Sequence, residues 1–328
     1  MNQESYTLAG STVTIPALGV GTWAWGDRMT WGMGGYDADL TRASIEEAWG
    51  ASIDAGVTLF DTAEIYGRGE SERILGAMLA GDPRRAATAI IATKFLPYPW
   101  KLRVVRALSK SLRESLGRLG LPAVDLYQIH GPISLRSHAE LADALAAAHE
   151  AGLVRAVGVS NYSAAETRSM DAELRQRGMR LASNQIEFSL LRRTPETNGL
   201  LGVCKELGVV PIAYSPLGQG RLTGKYSVSV PPPKGRNFGR YPMAVVGDVV
   251  AELRRIGEKH GGRTPGQVAL NWVIAKGAVP IPGAKSRRQA EDNAGALGWS
   301  MDDEDLVRLD QAALPGVKGA RSRIWQHG

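Results

Sequence analysis

Short runs of apolar, β-branched residues alternate with longer stretches in which apolar positions recur every three or four residues, nearly to the end of the chain. Unbroken or alternating apolar runs mark strands, a period near 3.6 marks helices, and their regular succession marks βαβ units. After a hairpin-like start over Tyr6–Ile15, the pattern predicts eight strands, at Ala17–Val20, Thr58–Asp61, Ala89–Thr93, Val124–Ile129, Val154–Gly158, Ala182–Glu187, Val209–Tyr214 and Ala278–Ile281. Helical periodicity covers Leu40–Ala55, Glu70–Leu79, Leu102–Leu119, His138–Ala151, Ala164–Arg177, Glu196–Leu207 and Pro265–Ala275.

Runs such as AVDLYQIH and GVVPIAYS are apolar almost throughout, as expected of parallel strands covered on both faces. Eight such units predict an α/β chain folded as a (β/α)8 TIM barrel, a single domain over residues 1–328 with an N-terminal β-hairpin and extra helices. The rival is a doubly wound open sheet, which normally carries a G-x-G-x-x-G turn after an early strand. The nearest phrase, GVGTWAWG, lacks both that spacing and a following helix. Two segments are irregular: Gly26–Gly35 after the first strand, and 217–241 after the seventh, which contains Pro231, Pro232 and Pro233. Loops this long are usually functional or disordered. Trp25, Trp31, Arg221 and Lys225 favour binding, with 217–241 read as a cofactor clamp plus insertion, whereas VPPPKGR reads equally well as a tolerated insertion. No internal repeat is visible.

Composition narrows the class further. With 44% hydrophobic and 22% charged residues, the chain is of ordinary globular type rather than disordered or collagenous. Its 39 Lys+Arg against 33 Asp+Glu leave +6, enough to favour a phosphorylated small molecule and short of a nucleic-acid footprint. One cysteine, Cys204, admits no internal disulfide and no cysteine-rich zinc site, so no metal is expected. No apolar run reaches the length of a membrane span and Met1–Gly10 lacks a secretory core, so neither membrane association nor export is expected and the cytoplasm is the expected compartment.

In a barrel, polar residues at the C-terminal strand ends point into the active site. Here these are Asp61, Lys94, His130 and Asn161, with Tyr66 five positions beyond Asp61. Each alone has a structural explanation: Asp61 as a helix cap, Lys94 with its ammonium reaching to water, His130 as a satisfied core histidine, Tyr66 as packing. Together, ionisable groups at consecutive strand ends are costly to bury unless paired or used. A tyrosine hydroxyl titrates near 10, and an adjacent ammonium favours its ionisation. Lys94 would supply that charge, Asp61 would hold Lys94, and a neutral His130 would hydrogen-bond a carbonyl oxygen beside Tyr66. The set is suited to protonating an oxygen.

The later strand ends suit a phosphorylated cofactor. Ser160, Asn161 and Gln185 can bind a carboxamide, Tyr214 can stack on a heteroaromatic ring, and the backbone of Leu217–Gly220 can approach a pyrophosphate. Lys285, Arg287 and Arg288 fall at a predicted helix start, which favours phosphate, although a solvated basic cap would look the same.

The chain resembles the aldo-keto reductases almost end to end, through GVTLFDTAEIYGRGESERILG, ATKF, DLYQIHGP, AVGVSNYS, SNQIEFSLL, AYSPLGQGRLTGKY and IPGAKSRRQAEDN, in family order. The resemblance implies a (β/α)8 barrel that reduces an aldehyde or ketone with NADPH, with Asp61, Tyr66, Lys94 and His130 as the catalytic tetrad and Tyr66 as general acid. It assigns Asn161, Gln185 and Tyr214 to the nicotinamide and Ser215, Pro216, Leu217, Gly218, Leu222, Gly224 and Lys225 to the pyrophosphate. Lys285, Gln289 and Asn293, with Ser286 or Arg288, fall to the adenosine end and its 2′-phosphate, and Gly283 is a further cofactor-binding candidate. Trp23, Trp25, Trp31 and Trp100 are the candidate substrate-pocket residues. GTWAWGDRMTWG and VIAKGAVPIPGAKS are most similar to the plant and bacterial branch that includes chloroplast and pyridoxal reductases. Where those relatives commonly have Trp after the tetrad histidine, this chain has Gly131, which predicts a more open pocket beside His130. A second reading, an NADPH-binding regulatory or redox-sensing protein with little turnover, is also compatible with an intact tetrad. The expected partner is a small carbonyl compound, and nothing in the sequence indicates an oligomer.

Overall fold

A computed structural model of the protein describes residues 4–26, 40–233, 241–317, 319 and 324–328. Strands β1 (Ser5–Thr7) and β2 (Thr14–Pro16) form the antiparallel hairpin, with Tyr6 opposite Ile15. Strands β3 (Gly19–Gly21), β4 (Leu59–Asp61), β5 (Ile90–Phe95), β6 (Val124–Ile129), β7 (Val154–Ser160), β8 (Ser183–Glu187), β9 (Val210–Tyr214) and β10 (Val279–Pro280) follow one another in a single parallel sheet. All eight strands of the predicted barrel are present. The sheet curls until its edges meet, where Gly21 N–H donates to the Pro282 carbonyl at 3.0 Å. That seam is narrow because it is lined by glycine. A Cβ on Gly21 would lie 2.9 Å from the Ile281 carbonyl oxygen, and one on Gly19 would lie 2.9 Å from side-chain atoms of Ile281 and Leu59.

Alternation along the strands sorts side chains into layers. Leu59, Ala92, Leu126, Ala156, Val210, Ile212 and Val279 pack inside the barrel in one apolar cluster with Leu8, Val13 and Ile15 of the hairpin, which closes the bottom. Phe60, Ile91, Tyr127 and Val157, each next to one of these in its strand, face outward into the core shared with the helices. Two positions along, the inward direction returns at the upper rim with polar residues: Asp61, Lys94 and Gln128, the last two paired in register. The layer above the apolar plug is therefore polar on β4, β5 and β6.

Helix starts follow the capping rules. Ser137 with Glu140, Ser163 with Glu166 and Thr264 with Gln267 each satisfy one another's backbone donors and begin the helices His138–Glu150, Ala164–Arg175 and Pro265–Ala275. The predicted helix over Glu196–Leu207 divides into Thr194–Thr197 and Leu200–Leu207 around Gly199, whose φ of 85° lies in the left-handed region. Helices Met243–Lys259 and Asp303–Ala312 are absent from the sequence prediction. They are clasped by ion pairs: Asp305 accepts from Arg255, Lys259 and His260 at 2.8–2.9 Å. Burial raises the Asp305 carboxyl, but these bonds outweigh it and hold it at about 2. His260, Asp302 and Asp305 have ligand-type atoms within 4.8 Å of one another, yet Lys259 bonds both carboxylates, so a cation already fills that role. Cys204 is buried, and burial pushes its thiol up to about 12, which keeps it unreactive. Among the described residues, no helix is long and apolar enough to cross a membrane.

Candidate active site

At the centre of the barrel mouth, Lys94 is completely buried. Its three ammonium hydrogens go to Asp61 Oδ2 at 2.6 Å, the Thr62 carbonyl at 2.9 Å and the Tyr66 hydroxyl at 3.3 Å. Burial lowers the Lys94 pKa, and the carboxylate of Asp61 opposes that fall. A buried ion pair is tolerable only when every remaining lone pair and proton is satisfied. Asp61 meets that condition through its other oxygen, which accepts from Gln185 Nε2 at 2.7 Å and Gln128 Nε2 at 3.4 Å. Because the ammonium donates to the Tyr66 oxygen, the phenolic proton is left to point elsewhere.

Tyr66 opens a tight turn, and Gly67, Arg68 and Gly69 after it all have positive φ. The turn is pinned from behind by Ser71, whose hydroxyl bonds the Thr22 carbonyl and pairs with the hydroxyls of Thr22 and Thr62. His130 meets Tyr66 edge-on, with ring centroids 5.6 Å apart. Burial, and secondarily the charge of Lys94, pushes the His130 pKa well below the ordinary imidazole value, so the ring is neutral.

These groups face a cavity of about 540 Å³ that continues along the rim of strands β7 to β10. Of the predicted tetrad, Asp61, Tyr66 and His130 line one end, and Lys94 is buried against Asp61 and Tyr66. Trp23, Ala24, Ile65 and Trp325 line the cavity there. Ser160, Asn161, Gln185 and Tyr214 line its middle, followed by Ser215, Pro216, Leu217, Gln219, Gly220, Thr223 and Lys225. Gly283, Lys285, Arg288, Gln289 and Asn293 line the far end. Ser286 caps the helix Arg287–Ala294 by accepting from the Gln289 N–H, and it, Gly218, Leu222 and Gly224 are not among the residues lining the cavity. Ser160 Oγ donates to the Gln185 carbonyl at 2.9 Å, Asn161 Nδ2 donates to Ser160 Oγ at 3.0 Å, and the Tyr214 hydroxyl donates to Asn161 Oδ1 at 2.8 Å. Residues 234–240 of the predicted clamp and insertion lie outside the described residues.

Two of the four candidate pocket tryptophans are placed elsewhere. Trp25 is only 1% exposed, packs on Phe60 in the core and donates its indole N–H to the Ala284 carbonyl at 2.7 Å. It sits in the short helix Trp23–Gly26, where successive residues point about 100° apart, so Trp23 can face the cavity while Trp25 faces the core. Trp100 is 71% exposed and stacks on Tyr98 instead of lining the cavity. Trp31 lies outside the described residues.

The residue that the sequence reading missed is Trp325. Its ring packs 5.4 Å from that of His130, and a Cβ on Gly131 would come within 2.9 Å of Trp325 Cζ3. The expectation of a more open pocket beside Gly131 is thus corrected: an indole from the C-terminal residues occupies that space. The only signal in the sequence is the cluster IWQHG at the end of the chain.

The fold and this polar mouth place the chain among the (β/α)8 barrels. The model of the aldo/keto reductase family matches residues 17–314, and the chain belongs to that family of oxidoreductases. It is 38% identical over 327 residues to the chloroplastic pyridoxal reductase of Arabidopsis thaliana, covering 96% of this chain and 87% of the relative. It is 31% identical over 345 residues to the L-glyceraldehyde 3-phosphate reductase of Escherichia coli, covering 99% and 95%. The solved glycerol dehydrogenase of Gluconobacter oxydans matches with a TM-score of 0.80 at 28% identity, covering 98% of this chain and 99% of that one. An aldo-keto reductase from Klebsiella pneumoniae, crystallised in complex with NADPH, matches with a TM-score of 0.73 at 26% identity over 97% and 98% of the two chains.

Proposed function

We propose that the protein reduces an aldehyde or ketone to an alcohol with NADPH, and that Tyr66 is the general acid. The observation that carries this reading is the Lys94 ammonium seated on the Tyr66 hydroxyl at one end of a cavity whose other end offers Lys285 and Arg288. The residues present fit a phosphorylated dinucleotide. Lys285, Arg288 and the start of the helix Arg287–Ala294 offer positive charge for phosphate, and beside Gly283 the cavity is open, since a Cβ there would meet only the Gly21 carbonyl oxygen, at 3.8 Å. Tyr214, Asn161 and Gln185 lie between the two ends.

When bound, NADPH supplies a hydride. The chain's own residues supply the rest. His130, neutral, donates a hydrogen bond that orients the carbonyl oxygen. Tyr66 transfers its proton to that oxygen as negative charge develops there. Lys94, already donating to the same phenolic oxygen, stabilises the phenolate left behind, and Asp61 keeps Lys94 in place. Trp23, Ile65 and Trp325 give the substrate an apolar wall that excludes water.

The test is consumption of NADPH by the purified protein with 4-nitrobenzaldehyde, methylglyoxal and pyridoxal, compared with Tyr66→Phe. The variant is expected to bind NADPH as the wild type does and to lose about 10²-fold or more in turnover. Turnover by Tyr66→Phe at the wild-type rate would overturn the mechanism.

A further inference from the structure

The last residues of the chain do more than deliver Trp325 to the substrate end. Gln326 is buried and both hydrogens of its side-chain amide are used: one goes to Glu187 Oε2, the other to the Tyr214 hydroxyl at 3.0 Å. A carboxylate only accepts, so Glu187, with Arg192 Nε 3.6 Å from the same oxygen, fixes which way the Gln326 amide faces. Tyr214 therefore accepts from Gln326 and directs its own proton to Asn161 Oδ1. That choice turns the Asn161 amide so that its NH2 donates to Ser160, which in turn donates to the Gln185 carbonyl. Gln185 Nε2 bonds Asp61, and Asp61 holds Lys94. Donation thus runs in one direction from Gln326 through Tyr214, Asn161 and Ser160 to the Gln185 carbonyl, and the side chain of Gln185 joins this run to Asp61, the acceptor it shares with Lys94.

The backbone reinforces it. The N–H groups of both His327 and Gly328 donate to the Asn161 carbonyl, at 3.1 and 3.2 Å, and His327 Nδ1 is anchored to Glu166 at 2.9 Å. Asn161 has φ of 64°, in the left-handed region that asparagine enters more readily than most non-glycine residues. Its carbonyl is held by residues 327 and 328, its side chain by Tyr214.

We propose that Gln326 is a positioning residue for the cofactor site: by fixing the polarity of the Tyr214 hydroxyl and hence of the Asn161 amide, it sets the two groups that lie where the NADPH reading puts the nicotinamide. The inference rests on that reading. It separates the roles of two adjacent residues, with Trp325 acting on the carbonyl substrate and Gln326 on the cofactor.

Fluorescence titration with NADPH and steady-state kinetics with 4-nitrobenzaldehyde distinguish them. Gln326→Ala is expected to raise the NADPH Kd about tenfold, the size of a lost positioned hydrogen bond, with little change in the aldehyde KM at saturating NADPH. Gln326→Glu preserves the shape and loses both donors beside Glu187, so its Kd should rise at least as far. Trp325→Ala should raise the aldehyde KM and leave the NADPH Kd as in the wild type. NADPH binding by Gln326→Glu at wild-type affinity would reduce the residue to packing and overturn the proposal. So would equal shifts of both constants in both Gln326 variants and in Trp325→Ala, which would show only that the C-terminal residues had come loose. Failure of the wild type itself to bind NADPH would overturn the cofactor reading and this inference together, and is told apart because it needs no variant.

Discussion

Trp325 and Gly131 occupy one space: a Cβ on the glycine would lie 2.9 to 3.1 Å from three carbon atoms of the indole. A side chain at position 131 and the indole from position 325 are therefore alternatives. Gly131→Trp alone should expel the Trp325 ring and cost about 1–3 kcal/mol from overpacking. Adding Trp325→Ala should recover part of that loss, with a coupling of about 0.5–3 kcal/mol between the sites in urea titrations. Additive effects would show that the two do not compete.

His130 makes stability depend on acid. Its folded pKa is well below the ordinary value because burial and Lys94 both disfavour the cation. The unfolded chain, with an imidazole near 6.5, then binds the proton first, so the folded state loses stability as the pH falls below about 6.5. His130→Asn should remove that part of the acid sensitivity. Urea midpoints at pH 7 and 5 for both proteins provide the check, and an equal drop in the two would contradict the assignment.

Lys285 and Arg288 line the end of the cavity beside the helix Arg287–Ala294. If that end takes the 2′-phosphate, Lys285→Ala should reduce the preference for NADPH over NADH by about 10- to 100-fold, the worth of a charge-assisted bond of about 1.5–3 kcal/mol. The ratio of kcat/KM for the two cofactors measures it. An unchanged ratio would move the phosphate elsewhere.

The barrel seam is close because Gly19 and Gly21 have no side chain there. Gly21→Ala places a methyl 2.9 Å from the Ile281 carbonyl oxygen, a backbone atom that cannot swing away. A loss of about 1–3 kcal/mol in the free energy of unfolding is expected, with a matching fall in Tm. Wild-type stability for this variant would mean that the seam can open at little cost.

The arrangement of strands and the polar set at their ends were legible in the sequence for one reason. Alternation along a strand is local, so once Leu59 faces the barrel interior Asp61 must face it too, and the same step carries Ala92 to Lys94. Serine or threonine followed three residues later by Glu or Gln likewise marks a helix start from local hydrogen bonding alone. Facing within a single turn of helix was harder to read: Trp23 and Trp25 have similar neighbours, and only the packing of Trp25 on Phe60 and its bond to Ala284 decide which one is core. The place of Trp325 and Gln326 could not be read at all. Both act on residues far away in the chain, His130 and Tyr214, and no periodicity spans such a distance. Where the end of the chain returns depends on the closed barrel, on Asn161 offering its carbonyl, and on the space left by the hydrogen of Gly131. The sequence determined what could line the mouth of the barrel. Tertiary packing decided which aromatic ring closes it, because that contact exists only after the strands have met.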